Sequence, residues 1–474
     1  MRRPTAFLLA MSLAGAAVIV DAQQATTPAR PAPEPAAPGK GGVSRPADDP
    51  FPSTYRAPVA RPFAIRNATI MTAAGPTIPN GTVVVRDGRI VAVGANVSVP
   101  ADAEVIDARG RFVTPGVIDT HSHLGVYPAP STAAGQDGNE MTRPSTPDVW
   151  AEHSVWPQDP QFPRNLAGGV TTLQVLPGSA NLFGGRGVVL KPVPGRSVQE
   201  MKFPGAKYGL KMACGENPKR VYAQRGPSTR MGNVAGYRAE WIKAEAYRRK
   251  WDKWNADKQG EAPARDLAME TLAEVLRGNI YVQNHCYKAD EMMQMIDIAK
   301  EFGYAIRSFH HAVEGYKIGD VLAREGISAS MWADWGGFKM EALDSIKANA
   351  AFVHASGARA IIHSDDPSGS QRLNQEAAKA MAAGNAAGVR ITPDEAIKWF
   401  TANAAWALGL EDRIGTLEPG KNADLVLWSA SPFSVYARAE RVWIDGALRF
   451  DRATPERNWR TDFELGFVPT AGRQ

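Results

Sequence analysis

The chain has 474 residues, 44% hydrophobic and 22% charged, enough apolar mass for two domains or for one large barrel with an appendage. Lys and Arg total 54 against 49 Asp and Glu, and the two signs are interspersed, so a net charge of +5 does not build a nucleic-acid-binding surface. Two cysteines are too few for a disulfide framework.

Taken in chain order, the N-terminus reads as a targeting segment. Arg2 and Arg3 precede an apolar run, Ala6 to Val20, and Val20 and Ala22 fit the small-residue rule at a cleavage site. Residues 1–22 are therefore expected to be a signal peptide, too short to read as a membrane span, and the protein periplasmic or secreted. Residues 23–60, rich in Pro and Ala, are expected to be a disordered linker. From residue 64 short β-runs follow, 64–71, 81–85, 89–93 and 103–107, with Asp87-Gly88 as a hairpin turn.

The apolar run Arg111 to Ile118 then leads into Asp119-Thr120-His121-Ser122-His123. Histidines at i and i+2 on a strand point to the same side, and two converging imidazoles are half of a metal site. Beyond them strands alternate with helical stretches. The strands are read at 170–176, 187–190, 209–212, 280–283, 305–309, 327–330 and 360–362, and with the run before His121 they make eight. Gly184 to Gly187 reads as a turn, and the charged stretch 237–258 as an amphipathic helix. Short strands resume at 423–428 and 441–446.

The fold class is α/β: a (β/α)8 TIM-like barrel over 114–411, a small β-sandwich domain built from 61–113 and 412–455, and a tail over 456–474. Such a barrel brings strand C-termini to one mouth. There lie His121 and His123 after the first strand, Lys211 on the fourth and His285 after the fifth. His310 and His311 follow the sixth, and His363-Ser364-Asp365 the eighth. Histidines, a lysine and an aspartate converging at one mouth fit a metal-assisted hydrolase.

Val113 to His123, Gly168-Gly169-Val170-Thr171-Thr172, His363-Ser364-Asp365 and Gly415 to Val426 together resemble the amidohydrolase superfamily, in its imidazolonepropionase-like and metal-dependent dipeptidase (prolidase-like) branch. The resemblance covers about residues 60 to 450. It implies His121, His123, Lys211, His285, His311 and Asp365 as ligands of one or two divalent metals, zinc foremost. Asp365 is then also the general acid/base. His311 is preferred to His310, which strand alternation would turn away. Lys211, as a lysine carboxylated by carbon dioxide, is the expected bridge, with Glu216 as its rival in a one-metal site.

Arg230 is a candidate clamp for a substrate carboxylate. Tyr222, Asn284, Tyr287 and Trp332 are candidates for the mouth. Cys214 and Cys286 carry outward parity on neighbouring strands, and the sequence leaves open whether they pair.

The function expected is an exported hydrolase that uses metal-activated water on the amide bond of a dipeptide or N-acyl amino acid. The alternatives are opening of a cyclic amide or imidazolone-type ring, and a non-catalytic metal- or ligand-binding barrel. The partner expected is a small amide or peptide, with no nucleic acid and no membrane beyond the signal peptide. A homo-oligomer is allowed and not specified.

Overall fold

The computed structural model describes residues 49–464. The expected signal peptide, the linker as far as residue 48, and residues 465–474 of the tail lie outside the described residues. Residues 49–55, read from composition as linker, dock on the folded chain instead. Thr54 N–H donates to Gln199 O at 2.9 Å, Tyr55 Oη donates to Asp445 Oδ2 at 2.7 Å, and Lys202 Nζ pairs with Asp49 at 3.0 Å. Burial of the Tyr55 ring helps offset the entropy of ordering this segment.

Among the described residues five strands precede the large sheet: β1 (Phe63–Ile70), β2 (Ile78–Arg86), β3 (Arg89–Gly94), β4 (Glu104–Asp107) and β5 (Phe112–Pro115). Asp87 and Gly88 both take positive φ, 51° and 74°, and turn β2 into β3 as their sequence predicts. Eight strands follow: β6 (Val117–Ser122), β7 (Val170–Val175), β8 (Phe183–Leu190), β9 (Gly209–Ala213), β10 (Tyr281–Cys286), β11 (Ile306–His311), β12 (Ser328–Met331) and β13 (Arg359–Ile362). The chain then returns through β14 (Leu425–Trp428), β15 (Ala439–Ile444) and β16 (Ala447–Asp451).

The terminal segments form one mixed hydrogen-bonded sheet, β16-β15-β14-β5-β1-β2-β3, which folds over on itself: β1 and β15 lie apart in that order, yet Phe63 stacks on Trp443 with ring centres 5.3 Å apart. β1 is long enough to pair β4 over residues 63–66 and β5 over residues 69–70, so a single continuous sheet collects every strand. Its apolar core holds Phe63, Ile65, Val83, Val113, Leu425 and Trp443.

Gly116 divides the run read as one strand. β5 pairs with β14 in the small sheet, and β6 opens the large one. A Cβ at Gly116 would lie 1.9 Å from Thr171 Oγ1, so only glycine lets the chain cross there.

The large sheet runs β6 to β13 in sequence order. Its neighbours are parallel except at β8, which is antiparallel to both β7 and β9. The reason is connection length. Residues 176–182 join β7 to β8, whereas a parallel crossover needs about a dozen residues or more. The regular (β/α)8 pattern is therefore broken at its third strand, and the structure is a barrel-like α/β sheet. Reversal also makes Gly184 and Gly185 part of β8, not the expected turn, and puts Gly185 in register with Lys211. At the far ends of the strand order Asp365 N–H donates to His121 O at 2.9 Å, so the first and last strands meet.

The charged stretch belongs to a 28-residue helix, Arg230–Asp257. Thr229 caps it by accepting from Gly232 N–H, and Tyr237, Trp241, Ala244 and Trp251 form its buried stripe. Each large ring so buried contributes roughly 2–3 kcal/mol. Among the described residues no helix is long and apolar enough to cross a membrane.

Candidate metal centre

Register across the parallel strands sets the inward row. Lys211 pairs with Gln283, Ala213 with His285, and His285 with His310, so Lys211, Gln283, His285 and His310 share one face of the sheet. His121 and His123 close the row from β6. Six of the eight histidines converge here, with the ring centres of His123, His310, His311 and His363 between 4.8 and 5.2 Å from that of His121, and His285 4.5 Å from His311.

Burial first, and then the positive neighbour Lys211, holds His121 well below the usual imidazole range. Burial dominates for His285, His310 and His311 as well, and it brings His363 down to about 3. These rings are neutral and keep a lone pair. Burial also brings Lys211 down to about 7, against the pull of Asp365. Burial alone would raise Asp365, but its contact with His123 and the positive charge nearby outweigh it and hold the carboxyl below the ordinary carboxylate range.

A buried relay decides which nitrogen of His121 is free. Gln283 Nε2 donates to Ala407 O at 3.2 Å, which turns Gln283 Oε1 toward His310. His310 Nε2–H donates to that oxygen at 2.7 Å. The neutral ring then has its lone pair on Nδ1, so His121 Nδ1–H donates to it across 3.0 Å. His121 Nε2 is left with a lone pair, 3.1 Å from Lys211 Nζ and 3.2 Å from Asp365 Oδ1. His123 is set the same way: Nδ1–H donates to Leu176 O at 2.8 Å, and Nε2 faces Asp365 Oδ1 at 3.1 Å.

Two imidazole lone pairs and a carboxylate oxygen thus point at one another, an arrangement that a cation satisfies. His121, His123 and Asp365, and separately His121, His311 and His363, bring donor atoms within 4.8 Å of one another. Both ring nitrogens of His311, and Nδ1 of His285 and of His363, are buried without a hydrogen-bond partner. Buried polar groups are rarely left so. The donor set of imidazoles and a carboxylate suits a divalent metal of the zinc type.

His310 faces the cluster and not away from it, contrary to the alternation argument. His311 and Ala312 take positive φ, 71° and 35°, so the strand ends there and two consecutive rings turn to the same side. The doubled histidine was the available signal. Asp119 was also passed over: its buried carboxylate accepts from Ser364 N–H at 3.1 Å and from Ser364 Oγ at 2.5 Å, which holds the turn carrying Asp365. An aspartate inside an apolar strand was the clue.

Other expected site residues scatter. Arg230 is not an open carboxylate clamp, because Nε pairs with Glu291 and Nη2 with Glu341 at 2.5 Å. Asn284 shares its register with Met212 and Phe309, on the face opposite Lys211 and His285, so it points away from the mouth. Tyr222 is buried and donates to Arg143 O at 2.9 Å, tying a loop. Glu216 reaches Lys339 Nζ at 3.6 Å, outside the histidine cluster. Tyr287 and Trp332 do belong to the mouth: both stack on His311, with ring centres at 5.2 and 4.5 Å, and Trp332 Nε1–H donates to Ser364 O at 2.9 Å.

Cys214 and Cys286 form a disulfide that joins the outer faces of β9 and β10.

Residues 342–450 match the amidohydrolase family. The chain is similar to a crystal structure of an amidohydrolase from Thermotoga maritima, at 38% identity and a TM-score of 0.76, covering 82% of this chain and 100% of that one. It is 33% identical over 435 residues to the amidohydrolase tasK of Hapsidospora irregularis, covering 82% of this chain and 43% of that longer protein. An imidazolonepropionase of Geobacillus thermodenitrificans is 27% identical over 75% of this chain and 85% of its own length.

Proposed function

The chain belongs to the amidohydrolase family, and from that premise we propose that it is a metal-dependent hydrolase of C–N bonds, acting on the amide of a dipeptide or an N-acyl amino acid. The observation that carries this reading is the convergence of the His121 Nε2 and His123 Nε2 lone pairs on Asp365 Oδ1, at 3.2 and 3.1 Å.

His121, His123, Lys211, His285, His311 and Asp365 would hold one or two divalent ions, zinc foremost. When bound, such an ion polarises a carbonyl and lowers the pKa of water. Asp365 takes the proton of the attacking water at its carboxylate and delivers it to the leaving nitrogen. The relay through His310 keeps His121 Nε2 free of a proton. Lys211, brought down to about 7, offers above that pH the neutral amine that carbon dioxide carboxylates, and the carbamate would supply the bridge between two ions.

Similarity to an imidazolonepropionase favours a second reading, opening of a ring C–N bond. A non-catalytic barrel is disfavoured, because the whole donor set is retained. Export, read from residues 1–22, accords with a disulfide that persists in an oxidising compartment.

The test is metal analysis of the purified protein, together with turnover of dipeptides, N-acyl amino acids and cyclic amides, with and without chelator. Chelator-sensitive release of an amine from the linear substrates is expected. Turnover of cyclic amides alone moves the assignment to the second reading. A chelator-treated protein with undiminished turnover removes both.

A further inference from the structure

One flank of the mouth is covered with aromatic surface that the histidine cluster does not use. The segment after β12 carries Trp332, Trp335 and Phe338. Trp332 lies against His311, Trp335 is 5.2 Å from Trp332 between ring centres, and Phe338 is 6.1 Å from Trp332 and 6.3 Å from Tyr287. The rings form a continuous wall from the candidate metal ligands to solvent, where Trp335 is 42% and Phe338 57% exposed.

This exposure is held in place. Glu341, buried on the same segment, accepts from Arg230 Nη2 at 2.5 Å and from Glu216 N–H at 2.7 Å. Large exposed rings on an anchored segment mark a binding surface.

The two cations nearest these rings, Arg230 and Lys339, are already engaged, with Arg220 beyond Lys339 at the exposed edge. Arg230 is paired with Glu291 and Glu341. Lys339 Nζ lies 4.0 Å from the Tyr287 ring centre and donates to Asn217 Oδ1 at 3.1 Å, with Glu216 and Glu341 at 3.6 and 3.7 Å. The rings therefore offer π-surface whose nearest cations are paired, which suits an apolar uncharged group better than a carboxylate.

We propose that Trp335 and Phe338, above Trp332 and Tyr287, form the subsite for a bulky uncharged apolar group, aryl or branched alkyl, attached next to the scissile C–N bond. This rests on the hydrolase reading and names the substrate class that its site takes.

The test uses the full metal-loaded chain and two uncharged probes, N-acetylalanine amide and N-acetylphenylalanine amide. Binding is followed by calorimetry and turnover by amine release. Wild type is expected to bind the phenylalanine probe about tenfold or more tightly. The W335A/F338A variant, altered only at exposed rings, should lose that ratio while keeping the wild-type metal content. A variant that keeps the ratio, or a wild type without one, overturns the proposal. So does F338A abolishing self-association while the ratio stays unchanged, which would make the wall a contact between copies. Absence of turnover with the binding ratio intact counts against the hydrolase reading and not against the subsite.

Discussion

His310 Nδ1 stands 3.0 Å from His121 Nδ1, and the proton between them belongs to His121, because the far nitrogen of His310 is committed to Gln283. A carbonyl on Ala407, three hydrogen bonds along the relay from His121, thereby fixes which nitrogen of His121 is available as a ligand. Replacing His310 with Leu should weaken metal binding by roughly 10–100-fold, the usual cost of removing a partner that orients a ligand. His310→Asn places an amide oxygen where Nδ1 was and should recover most of it. Chelator-competition titration measures both, and a Leu variant with wild-type affinity would show that the relay sets nothing.

Asp365 makes contact with both His121 and His123 through one oxygen. Asp365→Asn keeps an oxygen there and loses the proton acceptor. Turnover should fall by about 10²–10⁴-fold while elemental analysis finds metal still bound. Undiminished turnover would remove Asp365 from proton transfer.

Lys211 gives a pH prediction. Burial brings it down to about 7, so its neutral amine predominates above that pH, whereas an ordinary lysine is neutral only above about 10.4. Carbamate formation consumes the neutral amine. In metal-free protein exposed to ¹³C-bicarbonate, the carbamate resonance should grow as pH rises from 6 through 7 and level off by about 8.5. Lys211→Arg should show none. Growth confined to pH near 10 would mean that the site does not depress this lysine.

The Cys214–Cys286 disulfide closes a loop with a sequence separation of 72 residues. Its removal in C214S/C286S should cost about 4 kcal/mol of stability, read as a lowered denaturant midpoint. Both cysteines carry the parity that faces away from Lys211 and His285, so turnover below the unfolding range should persist. A loss of metal affinity without a loss of stability would instead tie the disulfide to the placement of His285.

Much of the site was legible because strand periodicity and chain spacing are local properties. His121 and His123 share a side by a two-residue repeat, and His285 follows Tyr281, Val282, Gln283 and Asn284 of β10. Each of the eight strands of the large sheet overlaps an apolar run, although most of the run before His121 belongs to the small sheet and β8 takes in the stretch read as a turn. His310 was misread by the same rule, since alternation holds only while φ stays extended, and the chain leaves the strand at His311. Arg230 was misread because its partners Glu291 and Glu341 are 61 and 111 residues away in sequence.

What the sequence determined by itself was the inventory of chemistry and its strand-by-strand order, because neighbouring residues decide which side chains share a face. Tertiary structure alone decided the direction of β8, the inward aim of His310, the pairing of Cys214 with Cys286 and the engagement of Arg230. Each of these depends on how distant segments close on one another: a connection too short to cross over, a left-handed residue where a strand ends, and buried charges that must find partners wherever the fold brings them.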